Sequence, residues 1–129
     1  MKIHQRLIIH FLNLSLFNQN SESISSYTKN DLEEMIKEAK AHKICGLIFN
    51  SLVNFLRRDD NLYTDIYKIS VIESMSQIRH FEVVRYALKQ LTEKGIKIIL
   101  LKGSHLRTLY PKPEMRTMSD VDILVNPKD

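Results

Sequence analysis

Apolar residues recur at three- and four-residue steps over most of this chain, a rhythm that predicts helices. Ile3, Leu7, Ile8, Phe11 and Leu12 share one face of a helix over residues 3–17, with Leu14 and Leu16 less regular. Residues 18–30 are rich in Ser and Asn and read as a loop. Asn30 with Glu33 three positions on predicts a capping box, and Asp31, Glu33 and Glu34 suit the first turn of the helix that follows. Leu32, Met35, Ile36 and Ala39 form its apolar stripe. Gly46 marks a break, after which Leu47, Ile48, Ser51, Leu52 and Phe55 predict a third helix, ending at Arg57-Arg58-Asp59-Asp60. Residues 65–94 carry the longest pattern, free of Gly and Pro: Tyr67, Val71, Met75, Ile78, Phe81, Val84, Leu88 and Leu91. A helix of about 30 residues spans about 45 Å, so the pattern allows a bend or a split into two. Gly95 terminates it, with Lys89 and Lys94 in the last turns.

The rhythm then changes. The run from Gly95 through Ile96, Ile98, Ile99, Leu100 and Leu101, and the run Val121 to Val125, are rich in Ile, Leu and Val and read as buried strands. Between them Leu106, Leu109 and Tyr110 predict a short helix, His105 to Tyr110, capped by Ser104. The fold class is α+β and mainly helical: a helical region at 1–94, then 95–129 with two antiparallel strands joined by a short helix, all one compact unit. Two strands alone are marginal and leave edges to protect. Helices must cover them, another copy must add strands, or the chain is a fragment; pairing through the sheet edge into a homo-oligomer is the expectation.

Composition narrows the function classes. With 43% hydrophobic and 26% charged residues, the 129 residues suit one globular domain. No apolar run reaches 18 residues, so no membrane span is expected, and residues 1–17 lack a small-residue cleavage site. A single cysteine, Cys45, cannot form an internal disulfide and reads as a core residue, which fits a reducing cytoplasm. The net charge of +4 is scattered rather than striped. Lys97, Lys102, Arg107, Lys112 and Arg116 do gather toward the C-terminal end, a surplus that suits a nucleoside triphosphate as well as a polymer.

The candidate chemistry lies in the same segment. Side chains alternate along a strand, so Asp120 and Asp122 face one way, about 6–7 Å apart along the backbone. Adjacent carboxylates repel unless a cation joins them. Mg²⁺ suits that role, because it binds through one or two carboxylates and takes its remaining oxygens from water and phosphates. Antiparallel pairing would bring the Gly103-Ser104 turn beside the two aspartates, a phosphate cradle next to a metal pair. Lys102 and Arg116 are candidates for phosphate contact; Arg116 is equally suited to holding the loop by pairing with an aspartate. Pro111 and Pro113 stiffen that loop. Neither GxxxxGK[ST] nor GxGxxG is present. His4, His10, His42, His80 and His105 show no metal-ligand spacing, and Tyr67 and Phe81 read as packing residues.

Lys102-Gly103 and Arg116-x-x-Ser119-Asp120-Val121-Asp122-Ile123-Leu124-Val125, followed by Asn126-Pro127-Lys128-Asp129, resemble the uncharacterised nucleotidyltransferase family of the DNA polymerase beta-like superfamily. The resemblance covers residues 95–129 by motif and the rest by pattern alone. It implies metal-dependent transfer of a nucleoside monophosphate from an NTP to an acceptor hydroxyl or phosphate. It also implies a core with Asp120 and Asp122 as ligands of Mg²⁺ or Mn²⁺, and Gly103-Ser104 as the phosphate turn. Two ions about 3.5–4 Å apart are expected in such chemistry. The family's third carboxylate lies on a later strand, and neither Asp129 nor Glu114 is placed to replace it. The core therefore reads as incomplete, with nucleotide binding expected to survive better than catalysis. A non-catalytic nucleotide-binding or oligomerising module is the alternative, and a helical interaction protein a third; the acceptor stays open among small molecule, protein and RNA.

Overall fold

The computed structural model describes residues 1–19 and 26–128, and the chain divides into two compact units between Glu73 and Ser74. Helix α1 (Ile3–Phe17), α2 (Lys29–Ala41) and α3 (Cys45–Leu52) belong to the first unit. The long helix α4 (Asn61–Glu93) contributes its first 13 residues there and its remainder to the second unit. The sequence pattern had set a boundary at residue 94. The second half of α4 instead makes its contacts with the segment that follows it.

In the first unit the apolar faces meet in one core built on Leu7, Phe11, Met35, Ile48, Leu52 and Ile66, each at most 1% exposed. Ile3 was expected on this face but is exposed, and the buried line on α1 runs Leu7, Phe11, Ser15. The stripe Leu32, Met35, Ile36, Ala39 is buried as its spacing predicts. Polar pins fix α3 to α1: Ser51 Oγ donates to the Phe11 carbonyl at 2.8 Å and Asn50 Nδ2 donates to Ser15 Oγ at 3.1 Å.

Two boundaries differ from the sequence reading. The box on α2 is Thr28 with Asp31, not Asn30 with Glu33: the Asp31 N–H donates to Thr28 Oγ1 at 3.2 Å, and the Thr28 N–H donates to Asp31 Oδ2 at 2.8 Å. Asn30 already lies inside the helix. Residues 20–25 of the expected loop lie outside the described residues, as does Asp129. The break before α3 falls at Lys43, whose φ is +54°, with the Ile44 N–H closing onto the Ala39 carbonyl at 3.0 Å. Gly46 is inside α3 instead, and its N–H donates to Glu73 Oε2 at 3.2 Å.

Helix α4 is continuous over 33 residues. Asp60 Oδ1 accepts the Leu62 N–H at its start. At its end Gly95 takes φ +79°, while the Ile96 N–H reaches the Leu91 carbonyl at 3.1 Å. Its inward face is not the expected one. Tyr67, Met75, Ile78 and Phe81 are exposed, and Leu62, Ile66, Ser70 and Gln77 are buried. Polar side chains occupy inward positions here, and a stripe defined by hydrophobicity alone is displaced by them.

In the second unit β1 (Ile98–Leu100) pairs antiparallel with β2 (Ile123–Val125), Ile98 opposite Val125 and Leu100 opposite Ile123. The strands were expected to be buried, yet Ile99 is 60% and Leu124 54% exposed. Ile123 and Val125, in the run expected to be buried, are exposed too. A ladder of two strands leaves one edge of each strand unpaired and cannot bury both faces. Between the strands runs a single helical turn, α5 (Gly103–Leu106), followed by short 3-10 turns at Arg107–Leu109 and Pro113–Met115. The helix predicted at residues 105–110 thus starts two residues early. Ser104 does not cap it, because Ser104 lies within its first turn and its Oγ is buried without a hydrogen-bond partner.

Candidate functional site

Two fixed points hold the aspartate segment. The ladder continues one step past β1, where the Leu101 N–H donates to the Asp122 carbonyl at 3.0 Å, setting Asp122 beside the residue before Lys102. At the other end Gln77, 7% exposed on α4, clamps Met118: its Oε1 accepts the Met118 N–H at 2.9 Å and its Nε2 donates to the Met118 carbonyl at 3.2 Å. Asp120 lies between these anchors and accepts from Ser119 Oγ at 3.2 Å.

Asp120 and Asp122 precede β2 and share the lining of one hollow of about 240 Å³ with Lys102, Gly103, Arg116 and Ser119. Of the six residues predicted from sequence, five line this hollow; Ser104 does not. Pockets for whole small molecules run to about 300–1,000 Å³, so this one suits part of a ligand, such as a polyphosphate. Both aspartates and Lys102 are exposed.

Each cation has a different situation. Arg116 is half-buried, and its Nη1 donates to Tyr110 Oη at 3.3 Å with the guanidinium 5.7 Å from the Tyr110 ring. That contact, rather than an aspartate, holds the loop, while Arg116 Nε is buried and unpartnered. Arg107, expected in the basic group near the site, is 4% exposed. Its guanidinium sits 4.2 Å over the Phe81 ring, its Nε donates to the Pro113 carbonyl at 3.1 Å, and burial pushes its pKa down. Phe81 therefore packs as the platform for a buried cation.

The turn itself is unusual. Lys102 takes φ +42°, ψ −107°, a region normally filled by glycine. Holding an L-residue there costs about 1–3 kcal/mol. Its neighbour Gly103 has helical backbone and a tight surrounding: a Cβ there would meet Met118 Cε at 3.0 Å, so that side chain would have to shift, and would touch Arg116 Nη2 at 3.5 Å. Sequence reasoning missed Gln77, since a glutamine within a long helix carries no signal that it faces inward. Among the described residues no three His, Cys, Asp or Glu side chains converge as a metal cluster, and no helix is long and apolar enough to cross a membrane.

A model of the uncharacterised nucleotidyltransferase family matches residues 28–129. No curated protein and no solved structure matches the chain.

Proposed function

This chain belongs to the uncharacterised nucleotidyltransferase family, and from that premise we propose that the hollow at residues 101–122 receives the triphosphate of an NTP together with Mg²⁺ or Mn²⁺, for transfer of the nucleoside monophosphate to an acceptor. The observation that carries this reading is the convergence of Asp120, Asp122, Lys102, Arg116 and Gly103 on one small polar hollow. The donor set fits the ion: two exposed carboxylates leave room for water and phosphate oxygens, the mixed sphere that Mg²⁺ prefers. Asp120 and Asp122 would hold it, and a bound divalent ion neutralises phosphate oxygens that a nucleophile could not otherwise approach. Lys102 and Arg116 set positive charge against the phosphates, and Gly103 leaves the hollow open where a side chain would crowd Met118.

Calorimetric titration with NTP in the presence of Mg²⁺, Mn²⁺ or a chelator tests this. Metal-enhanced binding that the double variant Asp120→Asn, Asp122→Asn abolishes is the expected result. Equal binding with and without metal contradicts it.

A second reading has its own support. It is a non-catalytic module that binds nucleotide or assembles. The open faces of the β1–β2 ladder suit pairing with another copy. Turnover of labelled NTP onto any acceptor favours the enzyme. Binding without turnover, with light scattering that rises with concentration, favours the module.

A further inference from the structure

Among the described residues three non-glycines have positive φ: Asn18 at +52°, Lys43 at +54° and Lys102 at +42°. Two of them need no special explanation. Asn18 caps the end of α1 in the left-handed region, its N–H on the Leu14 carbonyl at 3.1 Å, and Lys43 follows the end of α2, where the chain closes back onto Ala39. Left-handed residues commonly end helices in this way. Lys102 precedes a helical turn, and its ψ of −107° lies outside the left-handed helical region altogether. It has the backbone of the first central residue of a type II′ turn, where glycine is the ordinary occupant. Glycine stands one position later, where the backbone is helical.

Lysine in a glycine conformation gains nothing locally. Lys102 makes no capping hydrogen bond from its side chain, and it has no ion pair among the described residues. What the position does provide is a lysine on the lining of the hollow. Arg116, the other cation lining it, is engaged with Tyr110. Lys102 is thus the cation there that is exposed and uncommitted, and the two aspartates cancel the pair of positive charges before any ligand arrives. A polyphosphate would meet a neutral hollow with Lys102 and a net negative, repelling one without it.

We propose that Lys102 is the residue through which this site recognises the polyphosphate and prefers a triphosphate to a monophosphate, and that its strained backbone is retained to hold the ammonium in the hollow. The inference rests on the reading of the hollow as a triphosphate site. An ammonium acts on phosphate as a point charge, so its contribution grows with the charge of the ligand.

The test compares the unaltered chain with Lys102→Gly and Lys102→Ala, measuring thermal midpoint and the affinities of Mg²⁺·NTP and of the matching monophosphate. Glycine relieves the backbone and alanine does not. The glycine variant is expected to melt above the alanine variant, and both are expected to bind Mg²⁺·NTP about 10- to 100-fold more weakly, the weight of one hydrogen bond to a charged group. Monophosphate binding should change less. If the unaltered chain binds Mg²⁺·NTP and Lys102→Gly binds it equally well, Lys102 is not the recognising residue although the site stands. If the glycine variant melts below the alanine variant, the strain is refuted. If the unaltered chain binds no NTP, the reading of the hollow fails and takes this inference with it.

Discussion

The first unit is held by hydrocarbon and the second by polar contacts. Among the described residues, every hydrophobic residue that is buried lies between Leu7 and Ile66. Among the described residues from Ser74 onward only Gln77 and Arg107 are buried, and both are polar. One clamps Met118 through two hydrogen bonds and the other stacks on Phe81. The difference separates two ways of making structure. Apolar burial is non-directional and supplies most of the stability. Hydrogen-bonded anchors contribute less energy but fix position, and position is what a carboxylate pair beside a phosphate turn requires. The candidate site accordingly sits in the segment with the least apolar burial, positioned by directional contacts.

The widest contrast is in the cost of truncation. Leu7→Ala or Ile48→Ala should destabilise the chain by about 2–5 kcal/mol in urea unfolding followed by circular dichroism. Leu124→Ala, on the open ladder, should cost under about 1 kcal/mol by the same measurement. Equal losses at the two places would dissolve the contrast. Gln77→Ala comes next, at about 1–3 kcal/mol, because it leaves the partly buried backbone N–H and carbonyl of Met118 unpaired. Its signature is local: amide exchange at Met118 and Asp120 should quicken while α1 and α3 stay protected.

A smaller effect distinguishes two versions of one helix start. Thr28→Ala should cost about 1 kcal/mol, whereas Asn30→Ala should cost almost nothing. Asp31, whose carboxyl is held below its ordinary range by hydrogen bonds from Thr28, should lose its contribution as pH falls through that lowered pKa. The least effect is expected at Glu73. Burial raises its pKa, though the Gly46 N–H opposes this. The folded state therefore binds that proton more tightly than the unfolded one. Its contribution is full below the unfolded value near 4.5 and is lost as pH rises through the raised pKa. Glu73→Gln should flatten the stability profile above pH 4.5 in thermal melts. Beside it, burial and the Glu73 carboxylate push the Cys45 thiol up to about 12, so it should resist alkylation at pH 8 until the chain unfolds.

How far the sequence could be read follows the same division. Where burial is apolar, periodicity is most reliable: residues 3–17 as a helix and the stripe on α2 are legible from spacing, whereas α3 takes in Gly46 and ends at Leu52, short of the exposed Phe55 and of the end expected at Arg57. The long helix was legible as a helix but not in its facing, because Glu73 and Gln77 turn inward for hydrogen bonds that hydrophobicity does not encode, and Ser70, bonded back to the Tyr67 carbonyl of its own helix, is buried with them. Strand pairing followed from the two Ile- and Leu-rich runs, while their exposure did not, since burial depends on what lies over a strand. In the hollow, Asp120, Asp122, Gly103, Lys102 and Arg116 were named from motif and charge alone. Ser104 was misjudged as a cap, because the turn begins at Lys102 in a conformation that sequence gives no reason to expect of a lysine.

Hydrogen–deuterium exchange read by mass spectrometry, with and without Mn²⁺ and NTP together, tests the central claim most directly. Peptides covering residues 98–104 and 116–125 should gain protection on adding both, and neither metal nor nucleotide alone should match it, while α1 and α3 remain as they were. No change in those two segments, at ligand concentrations that saturate any binding seen by calorimetry, would contradict the account.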